Sequence, residues 1–175
     1  MKKDIAVLLH NVRSAHNVGS IFRTCDASGV SRIYLSGYTP TPTDRFDRAR
    51  KDIAKTALGA EKFVPWEYHK SPAALIKKLS AGGGPSSGGK KEGWSIIGVE
   101  QSPLAIDYRK FSAGGGSSSG GKKKRKIVFI FGNEVDGIPQ NILKMCDAVV
   151  EIPMHGKKES LNVSVAAGVI LFSVR

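Results

Sequence analysis

Two glycines, Gly132 and Gly137, bracket the stretch GNEVDGIP at positions 132–139, directly after the apolar run Ile127 to Phe131. Glycines spaced this way at the end of a strand are one route to a phosphate cradle. The neighbouring residues argue against it. A nucleoside-triphosphate loop needs Lys and then Ser or Thr after its second glycine, and here Ile138 and Pro139 follow Gly137. The spacing also fails the dinucleotide-binding glycine fingerprint. Glu134 and Asp136 would repel a phosphate. The loop suits a ligand with a cationic or hydrogen-bond-donating end, with an ordinary glycine-rich turn as the competing reading. The histidines, His10, His16, His69 and His155, have no metal-ligand spacing with one another or with Asp, Glu or Cys, so no metal is expected. Cys25 and Cys146 read as reduced, small apolar thiols.

The elements that must position this loop follow from hydrophobic periodicity. Ile5 to Leu9 reads as a buried strand. Val18, Ile21, Phe22 and Cys25 recur at helical spacing, with Gly29 as the C-terminal stop and Arg32 to Ser36 as a second strand. Tyr38 to Asp47, with Pro40 and Pro42, is a loop. Asp44 to Leu58 reads as a polar helix, Phe63 to Trp66 as a short strand, and Pro72 to Leu79 as a helix with proline in its first turn. Ser95 to Val99, Ile127 to Phe131 and Ala148 to Ile152 are three further buried strands. Continuous apolar strands alternating with helices indicate an α/β fold with a parallel sheet covered on both faces.

The chain has 175 residues, 41% of them hydrophobic, and a formal net charge of +12 with an isoelectric point near 9.9. That size suits a single domain, 1–175. A positive surplus this large is the footprint of a polyanion binder, nucleic acid above all. The first apolar run is too short for a signal-peptide core, no stretch is long enough to cross a bilayer, and a cytoplasmic location is expected. Two Gly/Ser-rich tracts, near 80–93 and 112–124, are expected to be flexible. Each precedes a strand and should emerge at the N-terminal edge of the sheet, away from a ligand site at the other edge. The basic run Lys122 to Lys126 reads as a solvated flank that could touch RNA phosphates.

The stretch from Glu151 to Val174 is ambiguous by pattern, since Leu161, Val163 and Val165 alternate with Asn162 and Ser164 as in a strand. Here the chain resembles the SpoU, or TrmH-type, RNA 2′-O-ribose methyltransferases of the SPOUT superfamily. Three blocks in the family's order carry the resemblance: NVRSAHNVGSIFRTCDASGV (11–30), IVFIFGNEVDGIP (127–139) and IPMHGKKESLNVSVAAGV (152–169). It implies an α/β knot fold, a parallel sheet flanked by helices with a C-terminal deep trefoil knot. It also implies S-adenosylmethionine as cofactor, RNA as partner, and a homodimer with the site near the interface. The third block becomes a loop followed by a helix starting near Ser160. Gly132, Ile152 and Leu161, with Met154 and Ser160 beside them, fall at the family's cofactor-binding positions, and Val99 and Glu100 would line the same pocket. Arg23, Asn17, Glu134 and Asn162 fall at catalytic positions. Ser160 and Ser164 are equally well explained by helix capping or packing.

The implied reaction is attack of a ribose 2′-hydroxyl on the sulfonium methyl. The family's arginine has been cast as the base, yet a guanidinium with a pKa above ~12 is costly to neutralise. Arg23 could instead bind an RNA phosphate and stabilise the developing alkoxide; the sequence leaves both roles open. Methyl transfer to a base nitrogen and a catalytically silent RNA-binding module are the alternatives. The chain lacks the extra N-terminal RNA-binding domain of many ribosomal-RNA relatives and ends at Arg175 inside the expected last helix, so a basic tail would be missing. Grip on tRNA or rRNA is therefore expected from Arg45, Arg48, Arg50 and Lys51.

Overall fold

The computed structural model describes residues 4–82, 93–111 and 126–174. Among the described residues, seven strands form one sheet in the order β3-β2-β1-β6-β4-β7-β5. They are β1 (Asp4–His10), β2 (Arg32–Ser36), β3 (Trp66–His69), β4 (Ser95–Val99), β5 (Ile106–Asp107), β6 (Lys126–Phe131) and β7 (Ala148–Glu151). Every pairing is parallel. Register is set by burial: Ile5 lies opposite Ile127, Val7 opposite Phe129 and Leu9 opposite Phe131, so each apolar residue faces a core layer.

Both faces of the sheet are covered, as continuous apolar strands require. Ile5, Val7, Leu9, Phe129 and Phe131 point to one layer with α1 (Ala15–Ala27), α2 (Lys51–Ala57), α3 (Ala60–Phe63) and α6 (Val163–Ser173). Ala6, Leu8, Val128 and Ile130 point to the other, under α4 (Pro72–Ser80) and α5 (Gln140–Leu143). The expected stripe on α1 is fully buried at Val18, Ile21, Phe22 and Cys25, each side chain contributing roughly 1.5–3 kcal/mol on leaving water. The helix ends at Ala27, and Gly29 takes the left-handed φ of +67° that stops it.

Several sequence expectations need correction. The polar helix expected over Asp44 to Leu58 begins only at Lys51. Residues 43–49 instead curl around Asp44, whose carboxylate accepts the N–H groups of Phe46 and Arg48, and Asp47 adopts a positive φ of 57°. An Asp side chain competing for backbone donors is the usual reason a helix fails to start. Phe63 ends α3, and the strand expected from Phe63 to Trp66 runs from Trp66 to His69, after Pro65. The last helix starts at Val163, not near Ser160, with Asn162 as its cap. The short β5 and α5 carry no periodic signal and were not expected. Most of both Gly/Ser tracts, and the Lys122 to Lys126 run except its last residue, lie outside the described residues. Among the described residues, no helix is long and apolar enough to cross a membrane.

Candidate functional site

A cavity of about 370 Å³ opens at the C-terminal ends of β4, β6 and β7, the edge where ligands bind in open parallel sheets. Three loops form it: the turn after β4, the loop 132–139, and the segment 151–163 leading into α6.

The loop 132–139 is closed by its own backbone. Asn133 N–H donates to Gly137 O and Gly137 N–H to Asn133 O, both at 3.1 Å. Asn133 Oδ1 accepts the N–H groups of Val135 (2.7 Å) and Asp136 (2.8 Å), and the Glu100 carboxylate accepts Ile138 N–H at 2.8 Å. Five backbone donors, at residues 133 and 135 to 138, are thus already paired within the protein. A phosphate cradle needs such donors free. Two glycines make the closure possible. Gly137 takes φ +66°, and a Cβ on Gly132 would collide with the Gly137 carbonyl and sit 2.6 Å from Ile138 N.

Glu134 ties this loop to the start of α1. Its carboxylate accepts Arg13 N–H (3.0 Å), Ser14 N–H (3.1 Å) and Asn17 Nδ2–H (2.9 Å). A carboxylate there also meets the positive end of the helix dipole. Burial pushes the Glu134 carboxyl up, but the bonds from Arg13, Asn17 and Ser14 outweigh it and hold the group below its ordinary value. Asn17 Oδ1 in turn accepts from Asn162 Nδ2–H at 3.1 Å, while Asn162 Oδ1 caps α6 by accepting from Ser164 N–H and Oγ–H. One polar chain, Glu134–Asn17–Asn162–Ser164, therefore couples the cavity loop to both helices.

The family model of the SpoU rRNA methylase family matches residues 4–172. The chain belongs to this family. It is 29% identical over 174 residues to a tRNA (guanosine(18)-2′-O)-methyltransferase of Aquifex aeolicus, covering 99% of this chain and 70% of that protein. It is 29% identical over 171 residues to a 23S rRNA (guanosine-2′-O-)-methyltransferase of Neisseria meningitidis, covering 98% of this chain and 58% of the relative. Among solved structures, an rRNA methyltransferase from Sinorhizobium meliloti bound to S-adenosylmethionine superposes with a TM-score of 0.78 at 25% identity, over all of this chain and 57% of that one. The chain thus spans little more than half the length of these two rRNA enzymes.

The residues expected from the sequence to bind the cofactor share one cavity. Val99, Glu100, Gly132, Ile152, Met154, Ser160 and Leu161 all line the cavity. Leu161 is 42% exposed, so it is not simply core. Of the four residues expected in catalysis, Glu134 lines the cavity and Asn17 and Asn162 join it through the polar chain. Ser164, in the first turn of α6, donates to its Asn162 cap, whereas Ser160 precedes the helix. Arg23 does not line the cavity. It lies on the exposed side of α1, and its side chain makes no hydrogen bond or ion pair among the described residues.

The four basic residues expected to grip RNA cluster on the loop after β2 and the start of α2, but two are already paired. Arg48 binds Asp44 and Arg50 binds Asp52. Sequence reasoning missed Glu151 and Glu159, two more carboxylates on the cavity wall. Glu159 directly precedes Ser160, but no spacing rule marks either residue. Among the described residues, the ionisable side chains of the wall are four glutamates, Glu100, Glu134, Glu151 and Glu159, with no lysine, arginine or histidine. Among the described residues, no group of three His, Cys, Asp or Glu is placed to hold a metal ion.

Proposed function

We propose that this chain is an S-adenosylmethionine-dependent RNA methyltransferase that methylates a ribose 2′-hydroxyl of tRNA or rRNA. The observation that carries the reading is a reversal of charge. A chain of net charge +12 surrounds a cavity whose ionisable wall groups, among the described residues, are all carboxylates. The outer surface suits a polyanion and the cavity suits a cation. The named activities of the tRNA and rRNA relatives point to the same chemistry.

The cofactor fits this donor set. Its sulfonium and ammonium groups are positive, and Glu151 and Glu159 make no side-chain hydrogen bond among the described residues, so both carboxylates are open to a cation. Gly132, Ile152 and Leu161 would hold it through main-chain groups, with Val99, Glu100, Met154 and Ser160 completing the wall. When bound, it supplies a methyl group on a positively charged sulfur. The chain's own contribution is positioning. Glu134 fixes the cavity loop against α1, and the Asn17–Asn162 bond fixes α6 against both. Arg23, unpaired and exposed on α1, would bind an RNA phosphate and stabilise the ribose oxygen as its proton passes to solvent water.

A homodimer is part of the proposal. The helix α6 is apolar all round: Ala167, Ile170 and Leu171 are buried, yet Val165 and Phe172 stand 51% and 56% exposed on the other side. A helix of that kind is normally covered on every face. A second copy on this face would bring another α1 near the cavity, because α1 packs on α6. The C-terminal trefoil knot and a single domain over 1–175 belong to the same reading. Their support is one sheet with one core on each face, and the convergence of loops 132–139 and 151–163 on one cavity.

Calorimetry tests the cavity. S-adenosylmethionine should bind and ATP should not; preference for ATP would overturn the reading. Arg23→Ala should keep cofactor affinity while methyl transfer to RNA falls at least about a hundredfold. Near-normal turnover would remove Arg23 from the site.

A further inference from the structure

The loop between β2 and α2 presents an aromatic side chain that the proposed chemistry leaves unused. Phe46 is 61% exposed. The Arg45 guanidinium carbon lies 4.8 Å from its ring centroid and that of Arg48 lies 5.0 Å away. The group is built rather than incidental. Asp44 accepts Phe46 N–H at 2.8 Å, Arg48 N–H at 3.1 Å and Arg48 Nε–H at 2.8 Å, and a bridge between Thr43 and Ala49 closes the loop. Asp44 therefore fixes both the backbone under Phe46 and the guanidinium beside it. Arg45 makes no hydrogen bond or ion pair among the described residues, which leaves its donors free.

The position is equally informative. The loop leaves the C-terminal end of β2, on the same edge of the parallel sheet as the cavity. Tyr38, at its start, is 57% exposed, and its hydroxyl accepts a hydrogen bond from Asn133 Nδ2 of the cavity loop at 2.8 Å. Tyr38 thus ties the start of this loop to the cavity loop.

We infer that the Arg45–Phe46–Arg48 stack is a platform for one unpaired base of the substrate RNA, so that the enzyme takes a target nucleotide next to a loop or bulge rather than within a continuous duplex. The inference rests on the reading of the chain as an RNA methyltransferase. Aromatic rings and guanidinium planes recognise splayed-out bases, and paired bases inside a helix do not offer their faces. Arg48 is neutralised by Asp44 and so supplies a flat surface more than a free charge for phosphate. Arg45 supplies the positive charge that draws the RNA in.

The test uses the full chain, an RNA hairpin with 2-aminopurine in its loop, and the same sequence as a perfect duplex. Wild type should quench the loop fluorophore on binding. Phe46→Ala should weaken hairpin binding about 5- to 100-fold, abolish the quench and change duplex binding by less than about twofold. Phe46→Trp should restore hairpin binding. Cofactor affinity, oligomeric mass and the slope of log affinity against log salt should not change, because no charge is lost. Equal loss on hairpin and duplex, no loss on either, or a change of oligomeric mass would overturn the platform. Failure of the wild type to bind either RNA would instead remove the methyltransferase reading on which it rests.

Discussion

Adding one methyl group at Gly132 should disable the cavity. The Cβ of Gly132→Ala would collide with the Gly137 carbonyl and sit 2.6 Å from Ile138 N, where ordinary contact between such atoms is about 3.5 Å. All the obstructing atoms are backbone, so no rotamer change relieves the clash. The loop must retreat by about 1 Å, and the paired bonds between Asn133 and Gly137 cannot both survive. Losing two such bonds, at about 0.5–1.5 kcal/mol each, costs about 1–3 kcal/mol. For a chain of this length the melting temperature should fall by about 2–12 °C. A displacement of that size in a preorganised site costs up to about a hundredfold, so cofactor affinity should drop, by as much as about that factor. Gly156→Ala is the control, because a Cβ there meets nothing within 4 Å, and it should stay within about 0.5 kcal/mol of wild type. Calorimetry and thermal melts on the three proteins decide the matter. A Gly132→Ala protein that binds the cofactor and melts like wild type would refute the role of the closed loop.

Glu134→Gln keeps at most one acceptor oxygen for three donors, so at this exposed site it should cost about 1–2 kcal/mol, seen as a melting temperature lower by about 2–8 °C. Because the Glu134 carboxyl is held below its ordinary value, its contribution is full above the unfolded value of about 4.3 and is lost as pH falls through the lower folded value. The gap between wild type and Glu134→Gln should therefore close in acid; a gap unchanged there would sink the assignment. Phe172→Glu should convert a dimer to monomer by light scattering, and an unchanged mass would move the interface elsewhere. The Cys25 thiol is buried and pushed far up, and burial and the nearby Asp147 raise that of Cys146 to about 11. Neither should react with iodoacetamide in the native state, and rapid labelling of either would contradict the packing around it.

The sheet was legible because its signal is the simplest one. Runs such as Ile5 to Leu9 and Ile127 to Phe131 have no polar face to hide, and continuous burial is what a parallel sheet imposes. Helix α1 was equally plain from its Val18–Ile21–Phe22–Cys25 stripe. The loop 43–49 was misread because charged residues fit a polar helix face and a turn alike. What decides is Asp44 capturing backbone donors, a contact that composition does not reveal. The last helix was ambiguous for the opposite reason: α6 is apolar on nearly every side, so no period emerges, and only its cap at Asn162 sets the start. The exclusion of phosphate at Gly132–Pro139 was readable from Glu134 and Asp136, although the structure adds a stronger reason in the donors the loop consumes. Glu151 and Glu159 were not legible. They lie eight positions apart and meet only when β7 and the segment before α6 close on one cavity.

The central claim is that this chain moves a methyl group from S-adenosylmethionine to a ribose 2′-hydroxyl. Methyl-labelled cofactor incubated with unmodified total RNA, followed by alkaline digestion, tests it most directly. A 2′-O-methyl group blocks cleavage of the adjoining phosphodiester, so the account predicts label in alkali-resistant dinucleotides, from either the tRNA or the rRNA fraction. Label found only in mononucleotides would mean that a base accepts the methyl group, and would contradict the account.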